Sequence, residues 1–278
     1  MKNMNNTNSS PLTLQKTLCP ECASTLSAEP GSCGSSAAPL GFSCPKCSHT
    51  YPVNHGIIDL VGGEKRKTSL VQWAMELRPL VAIYEHIWRP LVTYPFSRLS
   101  WEMDMSVKLL DLAPSHDLLD IACGTGNFTT LFHRMLPQGT ITGLDLSLPM
   151  LSQFQQENER KGKKNITLMR VDVTQWPFVS DTFDRIHCSG ALHLFPRIEN
   201  VFASIEKSLK PGGIFVGATY IKTHHPIKKW VQKLISERSG FHWFQPEELY
   251  RLAETAGFTD WEQHINKQGI VFRVKKKM

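Results

Sequence analysis

Two spacings of apolar residues alternate along the chain from Trp101 onward. Short apolar runs bounded by glycines or acids are typical of buried strands, whereas apolar residues at every third or fourth position are typical of amphipathic helices. The predicted strands are Leu118–Ala122, Thr140–Leu144, Ile166–Val171, Arg185–Cys188 and Ile214–Thr219. The predicted helices are Trp101–Leu112, Phe128–Leu136, Leu148–Lys161, Ile198–Leu209 and Pro246–Ala256. This alternation predicts an α/β fold with a parallel sheet.

The last part of the chain predicts an antiparallel addition to this sheet. Strands are indicated over Phe258–Ile265 and Gly269–Val274, with a turn at 266–268 between them. Two strands so close in sequence form a hairpin. We therefore expect a hairpin that closes the sheet.

An insertion between Tyr220 and Gln245 follows a predicted strand at its carboxyl end. Loops held by a rigid scaffold commonly carry binding residues. The insertion has basic residues and aromatic residues, namely Lys222, His224, His225, Lys228 and Lys229, and Phe241, Trp243 and Phe244. We expect it to shape a pocket for a ligand with an aromatic or anionic group, although a solvated surface is the ordinary place of lysines.

The stretch Asp120-Ile-Ala-Cys-Gly-Thr-Gly-Asn-Phe128 joins a predicted strand to the helix that follows it. Gly124 and Gly126 have no Cβ, so they can adopt positive φ and let a ligand approach the backbone closely. The helix behind them begins with backbone N–H groups that have no intrahelical partner. This strand–turn–helix arrangement favours a nucleoside as the ligand.

The spacing of the glycines distinguishes two kinds of nucleoside site. A dinucleotide site has a third glycine three residues after the second, but Thr129 occupies that position. The next predicted strand ends at Asp145, whose carboxylate can form strong hydrogen bonds with both hydroxyls of a ribose. The pattern therefore favours a nucleoside without a pyrophosphate.

The sequence D-I-A-C-G-T-G, followed by G-L-D-L-S, resembles the class I S-adenosylmethionine (SAM)-dependent methyltransferases from Trp101 to the C-terminus. The resemblance implies a Rossmann-like seven-stranded sheet with a C-terminal antiparallel hairpin. It also implies SAM as the cofactor, with Asp172 at the adenine amino group; a helix N-cap is the alternative role of this acid. The residues implied in cofactor binding are Asp120, Ala122, Gly124, Gly126, Asn127, Asp145, Leu146, Asp172, Val173 and Ser189.

Two side chains are candidates for a catalytic role. His193 comes soon after the strand Arg185–Cys188, near the expected sulfonium, where it can act as a base or orient the acceptor. A packing role is equally common for a lone histidine. Tyr84 belongs to the helical stretch 70–88, which in the enzymes that the chain resembles forms a lid over cofactor and substrate. Packing between the lid and the main domain is its alternative role.

Four of the seven cysteines form two pairs, Cys19-Pro-Glu-Cys22 and Cys44-Pro-Lys-Cys47. Two C-x2-C turns separated by about twenty residues are typical of a tetrahedral zinc site. Two disulfides would need an oxidising compartment, and no thioredoxin-like pattern surrounds either pair. The spacing therefore predicts a zinc site with four thiolate ligands.

Over residues 19–61, the cysteine pairs and the alternating segment Thr50–Leu60 resemble the small zinc-ribbon proteins that accompany some tRNA methyltransferases. They also resemble the ribbon at the front of certain rRNA guanine methyltransferases. A module of this size buries little surface, so the metal should supply most of its folding free energy. Structural support is the expected role of the ribbon. Contact with RNA is the alternative.

Composition narrows the class of protein. The 278 residues, of which 41% are hydrophobic and 20% charged, are typical of a globular protein with one substantial core. The net charge of +6 is spread along the chain and does not by itself indicate nucleic-acid binding. No apolar run reaches membrane-spanning length, and residues 1–10 lack the apolar block of a secretory signal. We therefore expect a cytoplasmic protein.

The predicted organisation has four parts, which are a disordered tail over 1–17, the zinc ribbon over 18–61, a linker with lid helices over 62–100, and the SAM-binding domain over 101–278, with the insertion 220–245. Methyl transfer to a small molecule is the expected function. An RNA base methyltransferase is the second hypothesis, although the chain has no strong basic and aromatic stripe and no N-P-P-Y-type tetrapeptide after Cys188. A SAM-binding protein with altered chemistry, such as a cyclase or a regulatory module, is the third.

Overall fold

The computed structural model describes residues 16–29, 41–61 and 96–278. Within these ranges the strands are β1 Ser27–Glu29, β2 Gly41–Ser43, β3 Thr50–Asn54, β4 Ile57–Asp59, β5 Asp117–Ile121, β6 Thr140–Asp145, β7 Ile166–Arg170, β8 Phe183–Ser189, β9 Leu209–Tyr220, β10 Phe258–Asn266 and β11 Gly269–Lys276. They form one sheet in the order β1-β2-β3-β4-β7-β6-β5-β8-β9-β11-β10. The strands from β4 to β9 in this order are parallel, and β11 pairs antiparallel with both β9 and β10. The predicted parallel core and C-terminal hairpin are confirmed.

The helices cover both faces of the sheet. They are α1 Leu99–Leu110, α2 Asn127–His133, α3 Leu148–Arg160, α4 Ile198–Ser208, α5 Pro226–Ser239 and α6 Pro246–Thr255. Neighbouring residues of β5 face opposite layers, as the period of two in a strand requires. Leu118 joins the apolar cluster that contains residues of α1 and α2, and Leu119 joins the cluster that contains residues of α4 and α6.

The cysteine-bearing module extends the edge of this sheet. Its last strand, β4, pairs in parallel with β7, so that Ile57 lies opposite Leu168, and both side chains are buried. The backbone N–H of Leu60 donates to the carbonyl oxygen of Arg170 at 3.0 Å. The Arg170 guanidinium also lies 3.2 Å from the carboxylate of Asp59. The module is therefore continuous with the larger domain through backbone hydrogen bonds.

Several sequence predictions lie outside the described residues. They concern the linker and helical stretch at 62–95, with the catalytic candidate Tyr84, and residues 1–15 of the predicted tail. Among the helices of the described ranges, none has the length and apolar character needed to cross a membrane.

Candidate functional site

The turn between β5 and α2 is built from residues with a left-handed backbone. Ala122, Gly124 and Gly126 have φ angles of 55°, 56° and 85°. The N–H of Cys123 donates to the carbonyl oxygen of Leu144 at 2.8 Å, which ties the turn to β6. A left-handed conformation costs about 1–2 kcal/mol for a residue other than glycine, so Ala122 is the strained member of the turn.

Glycine is suited to positions 124 and 126 for different structural reasons. A Cβ at Gly126 would lie 2.1 Å from Cε2 of Phe154, whose ring is fully buried on α3. A Cβ at Gly124 would meet only the Met150 sulfur, at 3.6 Å, which is an ordinary contact. Gly126 thus allows α3 to approach the turn, and Gly124 keeps the backbone accessible at the edge of the sheet.

Asp145 ends β6 and links two loops beside the glycine turn. Its Oδ2 accepts a hydrogen bond from the N–H of Gly124 at 2.8 Å, and its Oδ1 accepts one from the N–H of Ser147 at 2.8 Å. Hydrogen bonds to a charged acceptor are stronger than neutral ones. They fix the orientation of this half-buried carboxylate, which is the predicted ribose ligand.

Asp120 lies beneath the turn, where it is 2% exposed. Its carboxylate accepts a hydrogen bond from the hydroxyl of Thr129 and lies 2.8 Å from Nδ1 of His187. The other ring nitrogen of His187 is 3.2 Å from the hydroxyl of Ser106. A buried carboxylate needs such partners; here they come from α2 and β8, and α1 in turn contacts the His187 ring. The network supports the turn from below, and direct contact of Asp120 with a cofactor stays a prediction.

Asp172 follows β7, so it shares an edge of the sheet with Asp145. Its Oδ1 accepts hydrogen bonds from the N–H and the hydroxyl of Thr174, at 2.9 Å and 2.6 Å. These bonds cap a turn rather than an α-helix. Val173 is half-buried and packs against the main apolar cluster. The adenine contact of Asp172 and Val173 stays a prediction.

The remaining predicted cofactor contacts lie along the same edge. Asn127 is the first residue of α2, and Ser189 is the last residue of β8. Leu146 follows Asp145, and its carbonyl oxygen accepts a hydrogen bond from Nε of Arg170 at 3.0 Å. The predicted cofactor residues therefore come together at the carboxyl ends of β5, β6, β7 and β8, where ligands of parallel sheets bind.

A buried acid on α1 was not among the residues predicted from the sequence. Glu102 is 6% exposed, and its Oε2 accepts a hydrogen bond from the hydroxyl of Ser189 at 3.5 Å. Ser106 and Leu109 lie on the same buried face of the helix. In the sequence, Glu102 could have been recognised as an acid on the apolar face of a predicted helix, which it shares with Ser106 four residues later. Glu102 brings a carboxylate to the end of β8.

His193 belongs to an aromatic cluster beyond β8, formed by His193, Tyr220, Phe241 and Trp243. Its ring stacks on Phe241 with the centroids 3.9 Å apart. Burial, together with the nearby His242, lowers the pKa of His193 to about 3. The ring is therefore neutral at physiological pH and a weak proton acceptor. This favours orientation of an acceptor over proton abstraction, and both roles stay predictions.

The thiols near the turn are not activated. Burial raises the pKa of Cys123 well above its usual value, and the nearby Asp145 and Asp120 carboxylates raise it further. Burial has the same effect on the pKa of Cys188. Because the thiolate is the reactive form, neither cysteine is suited to nucleophilic catalysis.

The two cysteine pairs converge in the module at the sheet edge. The sulfur atoms of Cys19, Cys22, Cys44 and Cys47 all lie within 4.8 Å of one another. The Cys19 and Cys47 sulfurs are 3.6 Å apart, and those of Cys22 and Cys44 are 3.4 Å apart. Tetrahedral bonds of about 2.3 Å place thiolate sulfurs roughly 3.8 Å apart. The cluster therefore has the dimensions of a tetrahedral metal site.

Comparisons of the sequence point to one enzyme family. The family described as a methyltransferase domain matches residues 118–213. A chloroplastic methyltransferase of Arabidopsis thaliana, described as uncharacterized, is 30% identical over 276 residues, which cover 93% of this chain and 78% of the relative. The demethylmenaquinone methyltransferase of Geobacillus stearothermophilus is 30% identical over 119 residues, which cover 42% of this chain and 50% of that protein.

A solved structure has the same fold. Phosphoethanolamine N-methyltransferase 2 of Haemonchus contortus, in complex with SAM, superposes with a TM-score of 0.59 at 15% sequence identity. The superposition covers 66% of this chain and 54% of that chain. The segment matched by the family, 118–213, includes the glycine turn and the two acids Asp145 and Asp172 at the edge of the sheet.

The close contact at Gly126 generates a stability prediction. We expect Gly126→Ala to lower the free energy of unfolding by about 2–5 kcal/mol, because it adds a clash with Phe154 to the cost of the left-handed backbone. Gly162→Ala is the matched control, since Gly162 has φ 64° and open space around it. The control should lose only about 1–2 kcal/mol. Urea unfolding measures both, and equal losses would contradict the packing argument.

Proposed function

This chain belongs to the class I SAM-dependent methyltransferases, and we propose that it transfers the methyl group of SAM to a small-molecule acceptor. One observation carries the proposal. Asp145, beside the glycine turn, shares an edge of the sheet with the buried Glu102 and the aromatic cluster. Asp145 and the turn suit a nucleoside. Glu102 and the aromatic cluster suit a small organic acceptor with an apolar ring and a polar group.

The donor side of the site fits SAM, which when bound supplies a methyl group already activated by a sulfonium. Asp145 would hold the ribose, Asp172 and Val173 the adenine, and the glycine turn the amino acid end. Gly124 leaves the backbone of the turn accessible, and a Cβ at Gly190, just after β8, would have nothing within 4 Å. Both observations support access of a ligand to this edge.

The acceptor side places few demands on catalytic side chains. Methyl transfer needs the two reactants aligned and water excluded. Glu102 can accept a hydrogen bond or a proton from an acceptor hydroxyl or ammonium group, while the aromatic cluster provides an apolar wall. The Geobacillus relative is named for a quinone, demethylmenaquinone, and the ring of such a molecule would suit the aromatic cluster.

Zinc is the metal that the four-cysteine cluster fits best. Four thiolates in a tetrahedron are typical of structural zinc sites, which have no open position for a substrate. The cluster belongs to a module that pairs with β7 at the edge of the sheet. A structural role is therefore proposed for the zinc.

The compartment is a further part of the proposal. The cysteines of a zinc site stay reduced in reducing compartments, and the cytoplasmic location expected from the sequence meets that condition. The Arabidopsis relative, by contrast, is described as chloroplastic.

The donor site is tested with a variant of Asp145. We expect Asp145→Ala to weaken SAM binding at least about 100-fold in calorimetry, because charge-assisted hydrogen bonds contribute about 1.5–3 kcal/mol each. Asp104→Ala, an exposed acid on α1, is the control and should bind normally. Near-normal affinity in a folded Asp145→Ala protein would refute the ribose assignment.

The acceptor class is tested with methyl-labelled SAM. Incubation with the protein should label the small-molecule fraction of a cell extract and leave total RNA unlabelled. Labelled RNA would favour the second hypothesis and overturn the first. Binding of SAM without label in either pool would favour a protein with altered chemistry.

A variant of Glu102 separates the acceptor side from the donor side in this assay. Glu102→Gln should lower the transfer of label at least about tenfold, as expected for the loss of an acid–base group, with little change in the Kd for SAM. Asp104→Asn, two residues further along α1, should leave both quantities unchanged. A normal transfer rate in Glu102→Gln would remove this residue from the acceptor side.

Metal analysis tests the ribbon. The purified protein should contain about one zinc per chain, and the Cys22→Ser and Cys47→Ser variants should lose it and unfold at a lower temperature. Cys33→Ser is the control, because Cys33 belongs to neither pair. A wild-type protein that is free of zinc but equally stable would disprove the assignment.

A further inference from the structure

Helix α5 turns an apolar stripe toward solvent. Ile227 is 71% exposed and Trp230 is 66% exposed, and Leu234 is half-buried. Spacings of three and four residues place these side chains on one helical face. Single exposed apolar residues are normal, but a contiguous apolar patch marks a binding surface. We call these three residues the α5 stripe.

Positive charge surrounds the α5 stripe. The segment from Ile221 to Ser236 contains four lysines and no Asp or Glu. The lysines are all exposed, namely Lys222, Lys228, Lys229 and Lys233. Lys233 forms an ion pair with Glu237 at 3.8 Å between exposed side chains, and such surface pairs are weak. The surface therefore suits an anionic partner with an apolar layer.

The inner side of α5 is anchored next to the aromatic cluster. The side chain of Gln232 is buried and donates to the carbonyl oxygen of Ile221 at 3.0 Å and to the side chain of Gln268 at 3.0 Å. The indole N–H of Trp243 donates to the backbone carbonyl of Gln232 at 3.1 Å. Trp243 belongs to the aromatic cluster, so the α5 stripe lies on the outer side of the wall of the proposed acceptor pocket.

We propose that α5 binds the surface of an anionic lipid bilayer. Its stripe enters the boundary between headgroups and acyl chains, and its lysines contact the anionic headgroups. A tryptophan and aliphatic residues flanked by lysines are typical of helices that lie in a membrane interface. A second copy of the chain would bring like charges together. Single-stranded RNA binds by stacking on aromatic rings, which Ile227 and Leu234 do not provide.

The position of α5 has a consequence for the acceptor. A bilayer bound at α5 would lie beside the aromatic cluster and would present lipid-soluble acceptors to it. This consequence, unlike the membrane contact itself, rests on the proposed transfer to a small molecule.

Vesicle sedimentation with the full chain tests the membrane contact. The protein should sediment with vesicles of phosphatidylcholine and phosphatidylglycerol and bind pure phosphatidylcholine at least about tenfold more weakly, since each lysine adds to the attraction. The double variant Ile227→Ser and Trp230→Ser should bind at least about tenfold more weakly than wild type. Lys228→Gln with Lys229→Gln should weaken binding about 10- to 30-fold.

The control is Ile265→Ser, which removes an isoleucine that is 48% exposed on β10 and should leave vesicle binding unchanged. Absence of binding to the anionic vesicles would overturn the proposal, as would equal binding to both kinds of vesicle or an equal loss in the control. A dimer in ultracentrifugation, or a bound RNA, that is lost in the α5 variants while vesicles do not bind would assign the stripe to that partner instead.

Two further measurements separate this inference from the proposed function. Calorimetry should give the same Kd for SAM in the α5 variants as in wild type, which shows that the site is intact. Vesicle binding that fails while labelled small molecules still form refutes only the membrane contact. Normal vesicle binding without methyl transfer refutes only the proposed function.

Discussion

The buried carboxylate of Asp120 is the interaction on which the arrangement of the site depends. It joins β5 to α2 through Thr129 and to β8 through His187, whose second nitrogen faces Ser106 on α1. In a low-dielectric interior such hydrogen bonds are strong, and an unpaired group is costly. The network therefore links four elements, and Asp120 comes just before the glycine turn in the chain.

The cysteine-bearing module and the loop that contains Asp145 share a second point of support. Arg170 bonds the carbonyl oxygen of Leu146 beside Asp145 and pairs with Asp59 of the module. The Asp59–Arg170 pair is mostly shielded from solvent, where removal of one partner is more costly than at an exposed pair. The module thus continues the sheet and also buttresses the loop after β6. This arrangement would give the zinc proposed for the module a structural role at the edge of the sheet.

The proposed acceptor side differs in character from the proposed donor side. The proposed donor side consists mainly of backbone groups and of carboxylates held by backbone N–H groups. The proposed acceptor side has a buried acid, Glu102, and neutral rings around His193. Because methyl transfer mainly requires aligned reactants and excluded water, this side needs few residues with a recognisable chemical signature. That is why the donor could be inferred from sequence and the acceptor could not.

The sequence by itself determined the parallel sheet, the closing hairpin, the glycine turn and the cysteine pairs. These features depend on period, turn residues and ligand spacing, which act over a few residues. Only the tertiary structure decided that β4 would extend the sheet beside β7, since Ile57 and Leu168 are far apart in the chain. It likewise decided the contact between Asp120 and His187, which are 67 positions apart. Such pairings result from how elements pack, and no local spacing encodes them.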